Sequence, residues 1–144
     1  MKKSILFLLM LTGIIFSACS TTKQASSKEL YSTTWELDFI TGSRIAFDGL
    51  YPNEKPNLTF DKESNRVHGT NSCNGYSYKF TLDNEKLTFS EPGPATLRYC
   101  EGNGDKVFLE MMEKVESFSF DENNKLNLMA NGIPVMRFKK TNNN

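Results

Sequence analysis

Along most of this chain apolar side chains recur at every second position, the period of a strand with one buried face. Trp35, Leu37 and Phe39 alternate with Glu36 and Asp38. Ile45 and Phe47 are spaced the same way, ahead of a turn-rich segment at 48–56. Leu58 and Phe60 form a further pair, and after a polar loop at 61–65, Val67 and Gly69 lead into another strand. The stretch 69–80 is the centre of the pattern. It opens with small, turn-forming residues around Cys73 and closes with Tyr76, Tyr78 and Phe80 in alternation. Asp83-Asn84-Glu85 turns the chain, and Leu87 and Phe89 start the return strand. Glu91-Pro92-Gly93-Pro94 ends it, because proline has no N–H for a ladder. Residues 95–100 are expected to be extended again.

One stretch has a different period. Val107, Phe108, Met111, Met112 and Val115 line a helical stripe, with Lys106, Glu110, Glu113, Lys114 and Glu116 on the other side. Asp105 or Asn103 is placed to accept the first-turn N–H groups. Alternation resumes at Phe118 and Phe120. Leu126 and Leu128 face Met136 and Phe138 across Asn131-Gly132, a strong hairpin signal. Residues 139–144 read as a polar tail. About eight short strands and one packed α-helix predict a mainly β fold, an antiparallel barrel-like sheet. An eight-stranded barrel holds side chains or one small ligand. The large inward residues predict a filled interior, and a small apolar ligand held there is the alternative function.

Composition changes this picture at the N-terminus. Met1-Lys2-Lys3 precedes an apolar run at 5–16. That run is shorter than the ~20 residues of a spanning helix and suits a signal-peptide core. It ends at Phe16-Ser17-Ala18-Cys19, which resembles the lipobox of bacterial lipoproteins, with Phe16 where Leu, Val or Ile is usual. The resemblance implies cleavage before Cys19, a lipid on its thiol and acylation of the new N-terminus. Several acyl chains, at roughly 0.8 kcal/mol per buried CH₂, make a firm anchor. An ordinary cleaved signal, with Cys19 free or removed, is the alternative. The expected organisation is a lipoprotein signal peptide at 1–18, a lipidated flexible tether at 19–30 and a folded domain at 31–140. No acidic cluster follows Cys19 to fix the membrane face. The expected location is the cell envelope, with the lipid in the outer membrane and the domain in the periplasm.

An export signal implies an oxidising compartment, where the two remaining thiols, Cys73 and Cys100, usually pair. Such a disulfide contributes about 3.5 kcal/mol on loop-entropy grounds. Two buried free thiols are the alternative.

Candidate chemistry is sparse. The 17 basic residues balance the 17 acidic ones, with no block of either sign, so nucleic acid is not an expected partner. His68 is the sole histidine. It follows Val67 in an alternating strand, so its side chain should face away from that of Val67, and no nucleophile motif accompanies it. A zinc site from His68, Cys73 and Cys100 would need both thiolates and a fourth ligand. The acidic turns at 83–85 and 121–124 lack the ligand alternation of a calcium loop. Phosphate at Gly102-Asn103-Gly104 would meet Asp105 at the helix start. No enzyme activity, cofactor or metal is expected. Tyrosines are the remainder. Tyr76, Arg98 and Tyr99 form a candidate contact surface, because a disulfide would bring Arg98 and Tyr99 beside the Cys73 segment.

These residues together resemble a family. Cys73-Asn74-Gly75-Tyr76, with Gly69 upstream and Tyr78 and Phe80 downstream, is similar to the Gly-Cys-Asn-x-Tyr motif of META domains. Thr96-Leu97-Arg98-Tyr99-Cys100 resembles the family's Thr-x-Met-Ala-Cys motif, and Trp35-Glu36-Leu37 its opening Trp-x-Leu. The helical stretch and the closing hairpin at Leu126, Leu128, Gly132 and Phe138 extend the likeness over 35–138. Ser72 stands where the family has glycine, Tyr78 where another glycine is common, and Arg98-Tyr99 where it has Met-Ala. The resemblance implies a barrel-like fold with one packed helix and no established reaction. The family includes heat-inducible envelope lipoproteins of bacteria. The expected function is therefore a non-enzymatic, lipid-anchored envelope domain with a stress-related role, whose partners are the membrane, through Cys19, and an envelope protein.

Overall fold

The computed structural model describes residues 27–31 and 33–141. The expected signal peptide, Cys19 and most of the expected tether lie outside the described residues. The chain order is α1 (Ser27–Leu30), β1 (Thr34–Ile40), α2 (Phe47–Leu50), β2 (Asn57–Asp61), β3 (Arg66–Thr70), β4 (Gly75–Asp83), β5 (Lys86–Pro92), α3 (Gly104–Glu113), β6 (Ser117–Phe120), β7 (Leu126–Ala130) and β8 (Ile133–Lys140). The eight strands follow one another around a closed, barrel-like ring, every neighbour antiparallel. Closure comes from β8 pairing with β1, Phe138 opposite Leu37 and Met136 opposite Ile40. The weakest seam joins β5 to β6, where Lys86 faces Ser117.

Most of the alternating residues point inward as the sequence predicts, but Phe39 is exposed, where the β1–β8 register shifts between Leu37 and Phe39. Trp35, Leu37, Leu58, Val67, Leu87, Phe118, Leu126, Leu128, Met136 and Phe138 are almost completely buried. Tyr76, Tyr78 and Phe80 share the inner face of β4. The stripe of α3 covers one end of the ring. Phe108 is fully buried, 5.3 Å from Tyr76 and 6.5 Å from Phe138 between ring centroids. Side chains thus occupy the interior, and the described residues leave the expectation of an apolar ligand within the ring without a chamber.

Because the strands run up and down, the connections divide between two poles. One pole holds both ends of the domain and the tight turns β2–β3, β4–β5 and β6–β7. The other, the far pole, holds the long connections β1–β2, β3–β4 and β5–β6, together with α2, α3 and the β7–β8 turn.

Several expectations are corrected. Ile45 and Phe47 do not form a strand: Leu50 N and Tyr51 N bond back to the carbonyls of Ala46 and Phe47, making a helical turn. Phe47, Leu50 and Tyr51 have the spacing of that turn, and Leu50 and Tyr51 are its buried residues. Residues 95–100 run outside the ladder. Asn103 precedes α3 without a side-chain cap bond. The domain starts before Tyr31, since Leu30 is fully buried and its carbonyl accepts from the Trp35 indole at 3.1 Å. Lys139 and Lys140 belong to β8, and Thr141 N bonds to Thr34 O, so the ladder reaches into the expected tail.

Candidate functional site

The far pole gathers the residues that the sequence singled out. Cys73 and Cys100 are joined in a disulfide with Cα atoms 5.9 Å apart, linking the β3–β4 connection to the β5–β6 connection. Their sulfurs are bonded to each other and offer no thiolate, which removes the zinc arrangement with His68. Among the described residues no group of three His, Cys, Asp or Glu side chains converges on a metal position.

The turn that carries Cys73 is built by Asn71. Its buried side-chain oxygen accepts from the N–H groups of Cys73 (3.1 Å) and Asn74 (2.7 Å), while its own N–H donates to Asn74 O at 2.9 Å. This tight reversal leaves Ser72 at φ +81°. Only glycine adopts that region without a steric cost, which gives the family glycine at this position a physical reason.

Asn74 does what the sequence reading missed. Its amide acts as a strand edge in miniature. Nδ2 donates to Arg98 O at 3.0 Å, and Oδ1 accepts from Arg98 N at 2.7 Å and from Thr96 Oγ1 at 3.0 Å. Thr96 Oγ1 in turn accepts from Gly75 N at 3.0 Å, and Thr96 N donates to Gly75 O at 3.2 Å. Gly93 N donates to Ser77 O at 2.7 Å. The segment after Pro92 is therefore held by the Asn74 and Thr96 side chains together with two isolated main-chain bonds, where a ladder would otherwise hold it. The signal was present in Cys73-Asn74 and Thr96: a short amide next to a bridged cysteine and a hydroxyl near the second cysteine are the groups that bond a non-repetitive backbone.

The candidate surface divides under this geometry. Tyr76 is corrected: it is buried, its ring lies between Tyr78 and Phe108, and its hydroxyl donates to Asn57 O at 3.0 Å. Burial pushes its pKa well up. Alternation along β4 already placed Tyr76 with Phe80 on the core face. Arg98 is partly structural, because its guanidinium donates to Cys73 O and crosses the same gap as the disulfide. Tyr99 is 95% exposed, and beside it Leu97, not singled out from sequence, is 97% exposed. The clasp thus fixes a loop whose two large side chains stand in solvent.

Three smaller features surround it. A cavity of about 160 Å³ beside the disulfide is lined by Tyr51, Glu54, Ser72 and Asp105 among others. Tyr51 is buried there and donates to Gly104 O at 3.0 Å. Burial, and then the Asp105 carboxylate, raise its pKa. Gly69 lies where a Cβ would stand 2.1 Å from Asn57 O, so β2 and β3 approach too closely there for any side chain. His68 is exposed on the outer face, opposite Thr59 and Ser77. The Ser77 hydroxyl accepts from Arg66 Nε at 2.8 Å, so it is engaged by a guanidinium rather than by the imidazole a nucleophile would need.

The fold has solved relatives. A protein from Burkholderia xenovorans, known by NMR, aligns at a TM-score of 0.57 with 18% identity, covering 79% of this chain and 85% of that one. A second NMR structure aligns at 0.58 with 18% identity, covering 81% and 95%. At such identity the likeness is one of fold. No curated protein matches the chain. The model of the META domain matches residues 28–142, and the chain belongs to the META domain family.

Proposed function

We propose that this protein is a lipid-anchored META-domain protein of the cell envelope, with no enzymatic activity, that works by contacting another envelope component. The observation that carries the reading is the loop at 93–101. Disulfide, amide clasp and guanidinium all fasten it, yet Leu97 and Tyr99 are left uncovered. A fastened loop with exposed apolar side chains loses little entropy on binding, which favours contact. The apolar run ending at Cys19 supports anchoring by lipid, and the expected site is the outer membrane with the domain in the periplasm.

Two measurements test this. Radiolabelled palmitate fed to the native host should label the wild type and not Cys19→Ser, which should move from the membrane to the soluble fraction. Ester, peptide and glycoside substrates should be turned over by neither the wild type nor His68→Ala. Hydrolysis above background that disappears in His68→Ala would replace this reading with an enzymatic one.

A further inference from the structure

The topology says where the exposed loop stands relative to the anchor. With eight strands running alternately up and down, the N-terminal helix α1 lies at the pole of tight turns, and the β5–β6 connection lies at the far pole. We infer that the Leu97–Tyr99 loop is a docking knob for a protein partner beyond the reach of the anchoring bilayer, and not a membrane-inserting element. This rests on the lipid-anchor reading proposed above.

Chain length and chemistry both point this way. The stretch from Cys19 to Ser27, even drawn out straight, reaches at most about 28 Å. The nine residues of β4 alone measure about 30 Å along the strand. Placing the far pole against the bilayer that holds Cys19 would require a nearly straight chain laid along the flank of the domain. Among the described residues, the pole next to the anchor carries no such pair of exposed side chains: Leu30 and Trp35 are fully buried and Tyr31 is half-buried.

The two side chains are convex features on a fixed support. Leu97 and Tyr99 flank Arg98, whose backbone is gripped at both N–H and C=O by Asn74 and whose guanidinium is tied to Cys73 O. A matching surface is an apolar recess with a polar rim: the recess takes the Leu97 side chain and the Tyr99 ring, and the rim receives the Tyr99 hydroxyl. The partner is therefore an envelope protein that presents a concave apolar patch.

The test uses the full-length chain in its native host. A benzophenone amino acid is placed at Leu97 and, as a control at the anchored pole, at Lys62. Position 97 should yield one discrete protein adduct that position 62 does not. The adduct's partner, purified, should bind the full-length protein, and Tyr99→Ala should weaken that binding tenfold or more while leaving the melting temperature unchanged. Lipid adducts at position 97 would assign the loop to the membrane and overturn the inference. So would an adduct shared with position 62, no protein adduct at position 97, or binding indifferent to Tyr99→Ala. Cys19→Ser separates the two readings. Release of this variant from the membrane, together with no adduct at position 97 when Cys19 is intact, sinks the docking knob alone. Retention on the membrane with the adduct intact sinks the anchor and, with it, the exclusion of the bilayer.

Discussion

At the pole of tight turns the chain reverses in a few residues, and the bonds that shape each reversal are local. Asp61 Oδ1 accepts from Glu63 N at 2.9 Å and from Ser64 N at 3.3 Å; Asp121 Oδ1 accepts from Asn123 N and Lys125 N, each at 2.9 Å. Asn65, Asn84 and Asn124 take the positive φ values, +52°, +54° and +55°. At the far pole the fastening bonds join residues more than twenty positions apart: Cys73 to Cys100, Asn74 to Arg98, Gly75 to Thr96. Tight turns specify themselves, whereas the joined β3–β4 and β5–β6 connections are specified only once the ring has closed. A surface that must vary without disturbing a fold is more readily built on the second kind of connection.

Breaking the covalent link should separate the poles most. Replacing Cys73 and Cys100 by serine releases a loop of sequence separation 27 and should cost about 3.5 kcal/mol. Denaturant midpoints of the oxidised wild type and the double variant measure this. Hydrogen exchange should quicken at 93–101 and remain unchanged at the turns around Asn84 and Asn124. Uniform acceleration over both poles would mean that the far pole is no separate unit.

The amide clasp comes next. Asn74→Ala removes the partner of Arg98 N–H and C=O and of the Thr96 hydroxyl, and should cost about 2 kcal/mol. Chemical denaturation gives the value. The disulfide persists in this variant, so 93–101 should loosen less than in the serine pair. A loss below about 0.5 kcal/mol would show that water replaces the amide without penalty.

What the sequence revealed follows the same division. Strand alternation, the Asn131-Gly132 hairpin, the α3 stripe and the three tight turns were legible because each depends on residues close in sequence. Trp35, Tyr76 and Phe138 all face inward as their spacing requires. The disulfide was legible from the oxidising compartment that an export signal implies, which needs no geometry. The helical turn at 47–50 and the paths of the β3–β4 and β5–β6 connections were not. The pair at 45 and 47 has a strand's period, but the competing helical spacing of Phe47, Leu50 and Tyr51 is the one that buries side chains, and packing chose the helix. Arg98 looked like surface charge because its acceptor, a main-chain carbonyl of Cys73, has no mark in a sequence. Leu97 carried no mark of its exposure, because the amide clasp that holds its loop outside the ladder joins residues far apart in sequence.

A smaller effect belongs to the ring wall. Asp38 Oδ2 lies 2.5 Å from Lys125 Nζ, and Oδ1 lies 2.8 Å from Arg137 Nε. Burial alone would raise the Asp38 pKa, but hydrogen bonds from Lys125 and Arg137 outweigh it and hold the pKa below its usual value. A carboxylate with a depressed folded pKa contributes stability that is present above the unfolded pKa and lost as pH falls through the folded one. Asp38→Asn should therefore cost about 1 kcal/mol at neutral pH, a figure kept small by the exposure of the two cations. The difference between variant and wild type should vanish in acid, below the unfolded carboxylate range near pH 4. Thermal melts at pH 7 and pH 2.5 check the sign, and a gap that widens in acid would contradict it.

The smallest effect bears most directly on why the poles differ. Ser72 holds φ +81°, a conformation that costs a side-chain-bearing residue about 1 kcal/mol. Glycine would relieve this, while its freer unfolded chain would take back about half. Ser72→Gly should therefore raise stability by about 0.5 kcal/mol, or about 2 °C in melting temperature, where serine-to-glycine changes in strands lower it. Asn84→Gly, at φ +54° on the other pole, should gain less, because asparagine already tolerates the left-handed region. If the two substitutions gave equal gains, the strain would be a general property of turns. A gain confined to Ser72 would place it in the reversal forced by the Asn71 oxygen and the bridged cysteine, where the path is set from across the pole rather than by the residues making the turn.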